Sequence, residues 1–462
     1  MSDLESCTKK PGRQINKLVI VGFCLATLII LLAVVFIPWD VAKPEAPDLE
    51  LKQTPVPAAE NAFTHFGAAE KLYVEVPKPA WCKTNWIWDG LARPIGSPDE
   101  QWDPDFADKI LNANAAMSLE LEKGLACSQC QYVGPLQDPA TAIEPWKRSF
   151  DCGRLPNLLV LKAKRLHLAG DHAGACEVGL QQLHMGQMRT ANANLLGEWY
   201  RGIFCQFFAL RCWDELITDA STPESVLQKI RQELDGWSSQ TAIDGFKTSL
   251  KGECRLTPAA INTHISERYP VTRVIPYLYK PNMAMRLMIA KCRQMLANAD
   301  KPYAKVDMEY PGKLKSRLEI GDGLVILASP NSLGRFGFHE IEIYMDDNLL
   351  VRYSLEAQVA ALRLKLALRQ YEKKHGEFPD DLKILVPEWI KEIPRDPYDD
   401  QPFRYSKPEK KIWAVGCDLM DQGGKCGPEG IEFMHYHRLH NCDLVMQLGT
   451  REMKPTLAPK PQ

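Results

Sequence analysis

Apolar positions follow three regimes along the chain. Leu18 to Ile37 read LVIVGFCLATLIILLAVVFI, a run with no charged residue. A helix that is apolar on every side belongs in a core or a membrane. At about 1.5 Å per residue this one reaches across the ~30 Å hydrocarbon layer of a bilayer, so residues 18–38 are expected to form a transmembrane anchor. Residues 39–60 are rich in proline and acid and lack periodicity, which predicts a tether holding the body off the membrane. From 61 to 300 the spacing turns helical. The candidates are Glu60 to Leu72, Pro104 to Leu125, Leu155 to Leu168, Ala173 to Arg189, Ala193 to Ile217, Pro223 to Trp237 and Ala284 to Ala299.

Punctuation supports several of these. Thr222, Pro223 and Glu224 read as an N-cap, a first-turn proline and a first-turn acid. Gly170 and Asp171 divide LLVLKAKRLHLAGDHAGACEVGLQQL into a helical hairpin, similar to tetratricopeptide-type packing, but no repeat continues it, so a bundle or irregular solenoid is expected. Leu196, Trp199, Ile203, Phe207, Leu210 and Leu216 share one helical face and predict core. After a connecting region, 301–353, in which helical spacing already begins near Met345, Ser354 reads as the N-cap of a helix. Gly376 and Pro379 end that helix. FRYS and KIWAVG then predict an antiparallel pair and DLVMQL one more strand. The expected fold is mainly α: an anchor, an exported helical domain, and a small α+β module over 354–450 before a tail, 451–462.

Charge and cysteines set the compartment. Lys9, Lys10, Arg13 and Lys17 lie before the apolar run, so the basic segment 1–17 is expected in the cytoplasm and the body outside it. The apolar core exceeds the roughly 7–15 residues of a cleaved signal, and Asp40 stands where a small residue would precede a cut at Ala42. Cys24 lies in mid-span, which excludes lipid attachment and release there. With 56 basic against 58 acidic residues the chain has no field to gather nucleic acid. Of the 14 cysteines, pairs such as Cys127 with Cys152 or Cys417 with Cys426 are candidates for disulfides in an oxidising compartment. Cys127 and Cys130 form a lone C-x-x-C with no second pair to complete a zinc site.

Tyr371, Gly376, Phe378, Pro379, Leu382, Leu385, Ile393, Pro394, Asp396, Pro397, Pro402, Phe403, Tyr405, Gly416, Asp418, Gly423 and Gly424 form an ordered string. Over Leu355 to Gly424 it resembles the head domain of the major pseudopilin of type II secretion. The resemblance implies a helix followed by a DP turn, a strand pair and a closing loop that holds calcium, with Asp418 and Asp421 as ligands. The start of the chain lacks the cleavage motif and the early glutamate of a pseudopilin. The whole resembles bacterial single-pass membrane proteins with a pilin-like cap.

HYHRLHNCD contains His435, His437 and His440, the densest group of transition-metal donors, although no single regular element puts all three on one face. Serine-hydrolase elbows, zinc-protease helices, phosphate loops and dinucleotide fingerprints are absent from the sequence. The expected function is therefore a membrane-anchored envelope protein with a protein-binding or scaffolding body. Its partners are the bilayer, through residues 18–37, and other envelope proteins. The alternatives are an accessory part of a secretion or pilus-like machine, or an exported hydrolase or metal-dependent enzyme using the histidines or acids such as Glu198 and Glu253.

Overall fold

The computed structural model describes residues 17–36, 39–52, 54–79, 102–132, 153–306, 330–425, 443–450 and 454, and for the first helix the side chains of 20–30. Helix α1 spans Lys17–Phe36, and its described side chains are exposed. Among the described residues no helix is long and apolar enough to cross a membrane. The body follows with α2 (Ala62–Lys71), α3 (Pro104–Ala113), α4 (Ala115–Leu125), α5 (Arg154–Leu168), α6 (His172–Ala191) and α7 (Leu196–Thr218). Helices α8 (Glu224–Gly236), α9 (Gln240–Arg268), α10 (Pro281–Asn298) and α11 (Ser332–His375) complete it.

Several boundaries differ from expectation for local reasons. Asn114 splits the predicted helix from Pro104 to Leu125: its side chain exchanges hydrogen bonds with both backbone groups of Val74, at 2.8 and 3.1 Å. At α8, Pro223 itself takes the cap position and no side chain caps the helix. Ser354 is no N-cap. It lies in the middle of the 44-residue α11, bonding Tyr398 Oη at 2.8 Å, so the expected boundary at 353/354 falls inside one continuous helix. Gly376 does close that helix, with φ +80° and its amide on Glu372 O at 2.7 Å.

Helix α9 was not expected, although Ala242, Phe246, Leu250 and Cys254 recur four apart and pack in the core; glycine brings it close to its neighbour. A Cβ on Gly245 would sit 1.7 Å from Thr190 O, and one on Gly252 1.8 Å from Asn194 O, so only bare backbone lets α9 lie against the end of α6. The expected hairpin of α5 and α6 forms, with Gly170 at φ +83° and Asp171 accepting from the Gly174 amide at 2.8 Å. The aromatic stripe of α7 is core, as expected: Trp199 and Trp213 are fully buried, and Trp199 Nε1 donates to Ala242 O at 2.8 Å.

The tether is not free. Residues 39–49 form a strap along α10. Asp40 accepts from the Asn282 amide at 2.8 Å in the helix's first turn, Val41 O from Asn282 Nδ2 at 2.8 Å, and Asp48 takes Arg293 in a two-pronged pair at 2.8 Å. Lys280 stands 4.3 Å over the Trp39 ring and donates to Trp39 O, while Leu49 is buried in the core.

The C-terminal module carries β1 (Arg404–Ser406), β2 (Lys411–Ala414) and β3 (Leu444–Gln447), antiparallel in the order β1-β2-β3, as the strand patterns predict. Its core is continuous with that of the body. Tyr303, Tyr353 and Tyr398 meet edge-on or tilted with ring centres 5.2–6.1 Å apart, and Ala304 donates to Tyr398 O at 2.9 Å. Arg363 and Arg369 of α11 donate to the last carbonyls of α8 and α7, fastening the long helix to the ends of its neighbours.

Candidate functional site

The DP turn is built around Asp396. Pro394 and Pro397 fix the backbone on either side, and the wholly buried Asp396 carboxylate accepts from the Tyr398 amide at 2.9 Å, the Val415 amide at 2.7 Å and Arg404 Nη1 at 2.7 Å. One side chain thus ties the turn, β1 and the end of β2 together. Burial pushes its carboxyl up to about 7 against these donors.

The closing loop has its own internal cation. Asp418 accepts from the Met420 amide at 3.1 Å and Gln422 Nε2 at 2.9 Å, and Asp421 from Trp413 Nε1 at 3.0 Å and the Gly423 amide at 2.9 Å. Burial raises Asp421, but Trp413, Gly423 and Arg404 together hold it below the usual range. The carbonyls of Gly423 and Gly424, which would complete a calcium shell, accept instead from the buried Lys411 ammonium at 3.0 and 2.9 Å. A calcium ion takes about six to eight oxygens. As placed, these two carbonyls are taken by the ammonium, and Asp418 and Asp421 by the amide, side-chain amide and indole donors above. Asp443, which ends the HYHRLHNCD stretch, accepts from the Gln422 and Gly424 amides at 3.0 and 2.7 Å.

His435, His437 and His440 lie outside the described residues, as do Cys152 and Cys426. Cys127 is a free thiol, with Sγ 3.4 Å from Lys123 O. Burial pushes Cys130 and Cys176 up to about 12 and Cys205 to about 11, so these thiols stay protonated and pack as small apolar groups. Glu198 pairs with Arg201 at 2.6 Å, and Glu253 accepts from the Leu196 amide at 3.3 Å, capping α7. Both acids are engaged in holding helices.

Among the described residues, His167, His172 and Asp219 are the group able to hold a metal, with donor atoms within 4.8 Å of one another. His167 sits at the end of α5, His172 opens α6, and Asp219 follows α7. His167 Nε2 donates to Asp219 Oδ2 at 2.7 Å; Ser221 Oγ donates to Asp219 Oδ1 at 2.7 Å and lies 3.3 Å from His172 Nε2. Burial lowers the pKa of the His167 imidazole, although the Asp219 carboxylate pulls the other way. Burial also works against the Asp219 charge, yet the Ser221 and His167 donors together hold its carboxyl below the ordinary value.

This is not a Ser-His-Asp triad, because the acid faces one histidine and the serine the other. Neighbouring ligands on a tetrahedral zinc, at bond lengths of about 2.0–2.1 Å, stand about 3.3 Å apart, so metal entry would have to open the 2.7 Å hydrogen bond. As placed, the group is a clasp between two interhelical turns. Sequence reading places His167 and His172, with His184, beside the hairpin and claims no metal there; it could not add Asp219, 52 positions from His167 with no local spacing to join them.

A groove of about 340 Å³ runs between α8, α11 and the segment 387–394, with Arg231, Arg363, Trp389 and Ile390 on its walls. It lies where the helical body meets the segment that follows α11. No protein-family model, no curated protein and no solved structure matches the chain.

Proposed function

We propose that the chain is a single-pass membrane protein of the cell envelope whose exported body binds other proteins and holds its C-terminal module away from the bilayer. The observation that carries this reading is the way one end of the molecule is assembled. The 20-residue apolar α1 leads, two residues after its described end, into a strap docked on the first turn of α10. Helix α11 starts at the same place: the Asn331 amide donates to Tyr277 O at 2.9 Å, and Asn331 Oδ1 accepts from the Lys280 amide at 2.8 Å. Its 44 residues run about 66 Å, and the C-terminal module packs along its second half, from Tyr353 and Ser354, which meet Tyr398, to Gly376. Anchor, strap and the start of the long helix thus share one end, and the module packs on the helix's far half.

A second reading, an accessory part of a secretion or pilus-like machine, rests on the sequence string over Leu355 to Gly424 that resembles the pseudopilin head, and the module has the helix, DP turn and antiparallel strands that the resemblance implies. Both readings are tested with a photo-cross-linking residue at exposed Glu392, on the groove, in full-length protein in its native membrane. Adducts with other envelope proteins are expected, and secretion or pilus components among them would single out the second reading. Adducts to the protein alone would contradict both.

A further inference from the structure

The chain leaves α1 at Phe36 and is fixed again at Trp39, whose ring lies 4.3 Å from Lys280 Nζ. Three residues of extended chain reach at most about 11 Å. The polar layer of a bilayer is about 5–8 Å deep on each side of the hydrocarbon. If α1 is the anchor, the residues around Lys280 therefore stand in or just above that layer.

Immediately before Lys280 lie two proline-led 3₁₀ turns, Pro270–Arg273 and Pro276–Leu278, and the second packs on α1. Large apolar side chains are exposed here where a soluble surface would have polar ones: Val271 in the first turn is 44% exposed and Val274, just after it, 66%, while Trp39, at Lys280, is 38% exposed. Arg273 is exposed between the valines, and Tyr269 and Tyr277 are half-buried. Apolar tips with aromatic rings and a cation are what the boundary between headgroups and acyl chains accepts.

We propose that these turns are a second membrane contact, with Val271 and Val274 seated in the lipid interface next to the anchor, so that the body stands on the bilayer rather than swinging from it. The inference rests on the anchored reading of α1. It commits to lipid as the occupant because the first turn packs on the second and the second packs on the apolar helix α1.

The test uses the full chain in phosphatidylcholine vesicles containing acyl-brominated lipid. An environment-sensitive fluorescent amino acid is introduced by codon suppression at Ile29, at Val274 or at Glu409, the last lying beyond the far end of α11. The expected result is quenching and a blue shift at 29 and at 274, and neither at 409. Quenching at 29 without quenching at 274 would overturn the second contact and leave the anchor standing, and a protein partner covering the valines would give this same pattern. No quenching at 29 would remove the anchored reading and this inference with it. Val274→Asp provides a further check: folded, and still anchored through α1, it should lose the interfacial signal of a probe at 271, whereas an unchanged signal would also count against the contact.

Discussion

Replacing Asp396 by alanine is expected to cost the C-terminal module about 3–5 kcal/mol. The carboxylate is wholly buried and is the acceptor for two backbone amides and one guanidinium. Alanine leaves the amides of Tyr398 and Val415 buried without that acceptor and leaves Arg404 beside Asp399 and Asp421 alone. Asparagine keeps one oxygen but no charge and should fall between the two. Hydrogen exchange at the Val415 amide reads the effect locally, without requiring the whole chain to unfold in one step. Protection there should drop about 100-fold or more in Asp396→Ala. Unchanged protection would mean that the turn is held by its prolines and not by the carboxylate.

The second large effect concerns pH. Lys291 of α10 reaches both oxygens of Asp346 on α11, at 2.8 and 2.9 Å, and lies 3.4 Å from Glu342. Burial pushes the Asp346 carboxyl up from 3.8 to about 6, with Lys291 opposing. A folded value above the unfolded one means that the folded state binds the proton more tightly. The stabilisation is therefore complete below about pH 4 and is lost as pH rises through about 6. A shift of this size corresponds to about 3 kcal/mol. Asparagine cannot titrate, so between pH 4 and 7 the stability difference between the two proteins should move by about that amount in favour of Asp346→Asn. Urea unfolding of both proteins across that range, followed by circular dichroism, checks it. A constant difference, or movement the other way, would show that the ion pair with Lys291 outweighs burial.

The parts of the fold readable in the sequence were those with local causes. The stop of α11 at Gly376 needs one left-handed residue and a proline after it, and the α7 stripe needs only helical spacing. The hairpin at Gly170 and Asp171 is equally local. What was hidden depends on distant partners. Two glycines let α9 approach the carbonyls of the 190–194 segment, and Ser354 serves a tyrosine 44 positions away instead of capping a helix. The strap has a tether's composition, but Asp40 and Asp48 find Asn282 and Arg293 more than 240 positions on. At the closing loop, Asp418 and Asp421 were legible as acids. That Lys411, on the adjacent strand, would bring its ammonium to the loop carbonyls was not.

The central claim is that α1 holds the body to a membrane with the body on its outer face. Alkaline carbonate extraction of native membranes, followed by protease added from the outer side of the intact membrane, tests it most directly. The account predicts that the full-length chain stays with the membrane through the wash and that protease then removes the body, leaving a short fragment that contains Lys17–Phe36. Release of the chain into the supernatant, or a body fully shielded from the protease, would contradict it.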